Sequence, residues 1–286
     1  RNIMPSFSKV YESIDELLNQ VSDKSIPDWK SEHDESYLAS DTRAKDWNGN
    51  VTLKQAIKLA RFGWREGRDM MHKELEVAHR STKFERLPTH TYDVAGYIPD
   101  VPLFISGEPA HMQTPVGNHL GMQKTLEFVV HLGANCNVSD KRMMRKGSAI
   151  LSLVDKLEDS GLSCHVQGVT FTKSNEDKSV FYLEFPIKKA GVPMDIDRCA
   201  YALVHPSFLR RIKFRAMEQE PTGYKTFRSG YGCSSELPIH MRIGKIYFPH
   251  GNEIRANTTE QAVHEVVEIY ENQIAGNNWD GTPLED

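Results

Sequence analysis

TLEFVVHLGANCNVSDKRMMRKGSAILSLVDKLEDSGLSCHVQGVTFT, residues 125–172, decides the architecture. It opens on an apolar run, TLEFVVHLG, whose length and β-branched content read as a buried strand. Residues 139–161 carry apolar side chains at helical spacing, with Ser139 placed to cap the start and Gly161 to end it. LSCHVQGVTFT then returns to a strand. Strand, helix and strand in succession lay two strands side by side and parallel, with the helix on one face.

Reading downstream extends the pattern. SVFYLEFPIK (179–188) is a strand reached through the polar turn KSNEDK. DIDRCAYALVH (195–205) is a helix ended by His205-Pro206. RIKFRAM (211–217) alternates as a strand, with Ile212, Phe214 and Ala216 on one face and Lys213 and Arg215 on the other. GKIYFP (244–249) is a further strand, and residues 258–274 form a helix capped by Thr258 or Thr259. The expected fold is a three-layer α/β domain over 125–275, a partly parallel sheet with helices on both faces.

Upstream the signals are helical. Val10, Ile14, Leu17, Leu18 and Val21 share helical spacing over 9–21, and a polar stretch around Pro27 follows. Residues 52–80 give a long helical pattern with Thr52 as cap, interrupted at Gly63 and Gly67. Residues 94–118 are too rich in Pro and Gly for a long helix. The organisation expected is an acidic N-terminal helix and linker (1–46), a helical and irregular region packed on the core (47–124), the α/β domain, and an acidic C-terminal tail (276–286).

Composition excludes several classes. Hydrophobic residues are 39% and charged residues 26% of 286, ordinary for a globular protein. No apolar run approaches the roughly 20 residues of a membrane span, and the first thirty residues hold no secretory signal. The four cysteines, at 136, 164, 199 and 233, make no CxxC pair. A reducing, cytoplasmic home without a membrane follows as the expectation. The net charge of -4 is unevenly spread. Residues 1–50 hold 6 Lys/Arg against 10 Asp/Glu, and 257–286 hold 7 acids and no cation, so the middle is a net +7. A basic body between acidic ends suits a nucleic-acid binder whose tail meets other proteins; solvated flanks would read the same way.

No GxGxxG, GxxxxGK[ST] or GxSxG occurs, so dinucleotide, P-loop and nucleophile-elbow chemistry lack their signatures. HEVVE (264–268) places His264 and Glu268 on one helical face, but a zinc enzyme needs a third ligand. Asp195 and Asp197 are explained by capping and the helix dipole. HLGANCN, at the end of the first strand, holds no acid before Asp140. If the fold is von Willebrand A-like, its Asp-x-Ser-x-Ser metal site is degenerate. Neither a catalytic residue nor a metal or other cofactor is expected.

Two basic stretches remain. Lys141, Arg142, Arg145 and Lys146 crowd the start of the 139–161 helix, where cations oppose the dipole by a few tenths of a kcal/mol each; an anionic ligand would give them a purpose. Residues 208–256 hold nine Lys/Arg against four Glu, interleaved with seven aromatics. Cations that track a backbone beside aromatics on which bases stack are what single-strand binding requires. The best stacking candidates are Tyr224, Phe227 and Tyr231, next to Lys225 and Arg228 in the glycine-rich GYKTFRSGYG.

GWREG (63–67), DVAGYIPDVPLFISGEPAHM (93–112), RKGSAILSLVDKLEDSG (145–161) and DIDRCAYALVHPSFLRR (195–211) together resemble a family of proteins of bacterial viruses and some actinobacteria. The resemblance spans roughly residues 47–217 and transfers no active site. In size, basic body and acidic end the chain is also similar to the single-stranded-DNA-binding cofactor that some short-tailed phages use with their own RNA polymerase. That likeness implies a DNA-binding protein of phage transcription regulation that holds single-stranded DNA and recruits the polymerase. The expected contacts are Lys213, Arg215, Lys225 and Arg228 on phosphates, Tyr224, Phe227 and Tyr231 on bases, and Lys141, Arg142, Arg145 and Lys146 extending the track. A mobile tail would offer Trp279, Asp280, Leu284, Glu285 and Asp286 to a protein partner, and a homo-oligomer is compatible with the sequence. A protein–protein adaptor and a metal-dependent nuclease using Asp195, Asp197 or His264 are the rivals.

Overall fold

The computed structural model describes residues 7–26, 48–69, 76, 90–96, 98–115, 125–135, 137–173, 179–220 and 234–284. Its centre is a five-stranded sheet built from β1 (Phe7–Val10), β5 (Thr125–His131), β6 (Ser163–Lys173), β7 (Val180–Lys188) and β8 (Ile246–Phe248). The order is β1-β7-β6-β5-β8. β5 pairs in parallel with both β6 and β8, β7 runs antiparallel to β6, and β1 lies parallel to β7. A smaller antiparallel sheet holds β2 (His90–Asp93), β4 (Met112–Pro115) and β3 (Ile98–Pro99) in that order.

The strand–helix–strand reading of 125–172 holds. α4 (Asp140–Asp159) connects β5 to β6, with the Ser139 side chain accepting from the Arg142 N–H. Along β5, Phe128 and Val130 face one core and Val129 the other, the two-residue alternation of a sheet covered on both sides. The helices α1 (Ile14–Ser22), α2 (Leu53–Phe62), α4, α5 (Ile196–Val204) and α7 (Thr259–Ile274) pack side by side: α7 on α4, α4 on α5, α5 on α2, α2 on α1. The opposite face is covered more thinly. There Leu237 and Met241, around a 3-10 turn at Ile239–Met241, and Trp279 pack on Val129, Val169, Tyr182 and Tyr247. The fold is a mixed α/β sheet between two unequal layers.

Local chemistry explains the helix ends. Thr52 and Gln55 form a reciprocal capping box on α2, Asp195 caps α5 and Thr258 caps α7. Where α4 crosses α5, Gly147 is required: a Cβ there would sit 2.3 Å from the Leu203 carbonyl oxygen. The close approach lets the two helices bury Ile150, Val154 and Ala200 completely.

Three sequence expectations change. The 9–21 pattern is a strand followed by a helix, because Ser13 caps α1 and releases residues 7–10 to pair with β7. Residues 94–118 are not wholly irregular, since β3, α3 (Val101–Ile105) and β4 form there. RIKFRAM is not a strand. Residues Phe208–Lys213 make a π-helical turn that runs into an α-helix, Phe214–Glu218, together α6. Phe208, Ile212 and Ala216 recur every four residues, a helical spacing that the alternation of Ile212, Phe214 and Ala216 disguises. All three are buried.

Candidate nucleic-acid interface

In an open α/β sheet, ligands sit outside the carboxyl ends of the strands where the order reverses. Here the chain passes from β5 through α4 to β6 on one side, and β8 joins β5 on the other. The switch point therefore lies at the ends of β5 and β8, at His131 and Phe248 and the loops that follow.

His131 is fully buried there. Its Nδ1 accepts from the Gly133 N–H at 2.9 Å, and its Nε2 donates to the Ser235 carbonyl at 3.1 Å. That pairing defines a neutral ring. Burial, then the charges of His250, Lys146 and Lys213, hold its pKa well below the ordinary value. Lys146 reaches from α4 to donate to the His131 carbonyl at 2.8 Å and to the Pro249 carbonyl. It thus ties β5 to β8, and burial pushes its pKa down to about 7. The His250 ring stands edge-on to His131 at 5.6 Å. Its Nδ1 has no hydrogen-bond partner among the described residues, and its pKa is lowered by burial and then by Lys146.

The loops are stitched by backbone and amide contacts. Asn135 N–H donates to Asn252 Oδ1 at 3.0 Å, Ser234 N–H to Asn135 Oδ1 at 3.1 Å, and Gly251 N–H to the Gly133 carbonyl at 2.8 Å. A Cβ on Gly133 would stand 1.9 Å from Ser234 Oγ, so glycine is needed for this approach. Beneath lies a cavity of ≈ 30 Å³ bordered by His131, Lys146 and His205, room for about one water.

The expected site residues fall into four groups. Lys146 and Lys213 are buried and cannot lie on a surface track. Lys213 sits in the π turn, inside the packed layer where the strand reading had put it on a wet face. Arg142 donates to the carbonyls of Ile254 and Asn252, and Arg215 is half-buried with Nε donating to the Val21 carbonyl. Lys141 is exposed and Arg145 half-exposed on the first turns of α4, and neither side chain has a hydrogen bond or ion pair among the described residues. Tyr224, Lys225, Phe227, Arg228 and Tyr231 lie outside the described residues, as do Glu285 and Asp286. The described chain ends at Glu220 and resumes at Ser234, against Asn135.

Sequence reasoning missed the buried Arg210. Its Nη2 donates to the Val138 carbonyl at 2.7 Å, and Arg211 Nε donates to the Val51 carbonyl at 2.8 Å. A buried guanidinium is tolerated only with such partners. Arg210 and Arg211 are therefore internal clamps.

The C-terminal tail is docked. Trp279 Nε1–H donates to Glu236 Oε1 at 2.9 Å, Asn272 Nδ2 donates to the Trp279 carbonyl, and Asn277 bridges to Pro283. Asp280 accepts from the Thr282 hydroxyl at 2.6 Å, which lowers its pKa. Leu284 is 51% exposed. The expected mobile tail is thus corrected over 276–284: the indole packs on the thin face of the sheet and the turn closes on itself.

His205 Nδ1 lies 2.7 Å from Ser207 Oγ, which lies 2.6 Å from the Tyr201 hydroxyl, and Ser207 is fully buried. His264 and Glu268 stand 3.9 Å apart, both exposed on α7. Asp195 caps α5 and Asp197 faces Arg68 at 3.6 Å. Among the described residues no three His, Cys, Asp or Glu side chains converge as a metal site, and no helix is long and apolar enough to cross a membrane.

Fold and site define an α/β protein whose switch point is filled by a stitched, cation-rich knot. The chain belongs to the family described as a domain of unknown function, DUF7192, whose model matches residues 2–273. No curated protein and no solved structure matches.

Proposed function

We propose that the chain binds single-stranded nucleic acid, with single-stranded DNA as its ligand, as a phage transcription or replication cofactor that recruits a polymerase in the host cytoplasm. The observation that carries the reading is the charge at the switch-point end of the sheet. Arg142 and Arg210 are clamped by carbonyls there, and Lys213 acts electrostatically on both histidines. The acids that reach His250, Glu253 and Glu236, are exposed. Such a knot projects positive potential, and Lys141 and Arg145 stand at its surface to meet phosphate oxygens. The aromatic and basic segment that would stack bases re-enters the described structure at this end, at Ser234.

Fluorescence anisotropy with matched single-stranded and duplex oligonucleotides tests the reading. Tighter binding to the single strand that weakens steeply with salt is the expected result, because stacking needs unpaired bases and counterion release drives the rest. Equal binding to both forms, or indifference to salt, overturns it.

A protein–protein adaptor is the second reading. Exposed apolar side chains on the small sheet and the segments joining its strands, Val94, Ile98, Phe104 and Ile105 among them, favour it.

A further inference from the structure

The knot at the carboxyl ends of β5 and β8 is rich in ionisable nitrogens. His131, Lys146, Lys213 and His250 are all buried there, and they come from β5, α4, α6 and the loop after β8. His250 meets the other three. Its ring stands edge-on to His131, and the charges of Lys146 and Lys213 act on it. Two acids act on it as well, Glu253 from its own loop and Glu236 from the segment that re-enters at Ser234, and both are exposed. Glu253 Oε1 stands 3.8 Å from His250 Nε2, beyond hydrogen-bond reach. Glu236 is engaged by Arg242 at 3.0 Å and by the Trp279 indole.

The two rings differ in what a proton costs them. His131 has both nitrogens engaged, so charging it breaks the bond from the Gly133 N–H. His250 Nδ1 has no hydrogen-bond partner among the described residues, so that ring gains a proton without losing a bond. The charge would then sit buried beside two lysines, with only screened acids against them.

The loop that carries His250 is fastened on both sides of it. Lys146 holds the Pro249 carbonyl. Beyond the ring, Gly251 N–H donates to the Gly133 carbonyl at 2.8 Å and Asn252 Oδ1 accepts from the Asn135 N–H at 3.0 Å. Arg142 holds the carbonyls of Asn252 and Ile254. Swinging this loop outward is what would carry the ring to water. We propose that residues 249–254 form an acid-operated latch, closed while the His250 ring is neutral and released from the 133–138 loop when the ring takes up a proton. Release also frees Arg142 from two carbonyls, close to Lys141 and Arg145 on the same helix turns.

Linkage sets the sign and the window. In the closed loop the pKa of His250 lies below the ordinary 6.5, and in the open loop it returns to about that value. The open form therefore gains as the pH falls below about 6.5, by up to about tenfold per pH unit. Lys146, with a folded pKa of about 7, is protonated in both forms below that pH and adds no slope there.

Amide hydrogen exchange on the full chain, corrected for the intrinsic effect of pH, tests this without nucleic acid and so apart from the DNA reading. The amides of Gly251 and Asn135 should lose on the order of tenfold in protection between about pH 6.5 and about pH 5. Those of Ile150 and Val154, in the buried part of α4, should exchange far more slowly throughout, which marks the opening as local. His250→Gln should abolish the pH response, and His264→Gln, at an exposed position, should leave it intact. In the wild type, the His250 ring and the Gly251 amide followed by NMR should titrate with one midpoint. Flat protection, a response that survives in His250→Gln, core amides that open at the same rate, or a ring that titrates while the Gly251 amide stays closed overturns the proposal. The last outcome decides even where the His250 variant fails to fold.

Discussion

The side-chain amide of Gln273 closes the free edge of β8 at Tyr247. Tyr247 N–H donates to Gln273 Oε1 at 2.7 Å, and Gln273 Nε2 donates to the Tyr247 carbonyl at 3.0 Å. One side chain from α7 thus imitates the next strand of the ladder, which leaves the edge unavailable to a foreign strand. The same Nε2 also donates to the Ile269 carbonyl at 2.9 Å, so the amide is held in place by its own helix.

Gln273→Leu should therefore lower stability by about 1–3 kcal/mol, because it strands a donor and an acceptor at a covered edge. Urea denaturation measures it. Gln273→Glu should be worse at neutral pH than at pH 4, since a carboxylate accepts from Tyr247 N–H but faces the Tyr247 and Ile269 carbonyls without a proton to donate. Equal stability of all three proteins would show that the edge is not closed by this amide.

Lys146 makes stability rise with pH in a defined window. Its pKa is about 7 when folded, against an ordinary 10.5. Between these values the unfolded chain holds a proton that the folded chain lacks, so raising the pH favours folding; below 7 the full penalty, on the order of 5 kcal/mol, stands. The buried thiols of Cys164 and Cys199, pushed up to about 12, act in the opposite sense above about pH 9. Wild type should gain stability from about pH 7 to pH 8.5, and Lys146→Met should not. A variant with the wild-type slope would mean that Lys146 is not the group responsible.

Deletion of residues 276–286 should destabilise the fold by roughly 1–3 kcal/mol, the loss of a partly buried indole and its hydrogen bond to Glu236. Trp279→Ala should reproduce most of that loss. DNA affinity of the folded protein should not rise on truncation, as it would if the tail were a tethered competitor. Unchanged stability with raised DNA affinity would restore the mobile-tail picture.

Lys141→Ala with Arg145→Ala should weaken single-strand binding without lowering the melting temperature, because neither side chain has a structural partner among the described residues. Each lost phosphate contact reduces the slope of log affinity against log salt by about 0.7. Lys213→Ala, at a buried position, should instead unfold the protein more easily. A double variant with the wild-type salt slope would remove α4 from the interface.

Local pattern alone reached the βαβ core, its helix caps and the strand order of events along 125–188, because each depends on neighbours a few residues apart: Ser139 on Arg142, Asp195 on Arg198, Phe128 and Val130 on the pleat. It reached the cations as a composition but not their fates. Whether Lys146, Arg210 and Lys213 face water or the interior depends on carbonyl groups brought from elsewhere in the chain, those of Pro249 and Val138 among them, and no spacing reports those. The same holds for RIKFRAM, where two periods fitted the letters and burial on a neighbouring layer selected the helical one. Trp279 read as a free anchor until Glu236, 43 residues away, met its indole. Short-range preferences are written in adjacent residues, whereas the partner of a charged or aromatic side chain is set only when distant segments close around it.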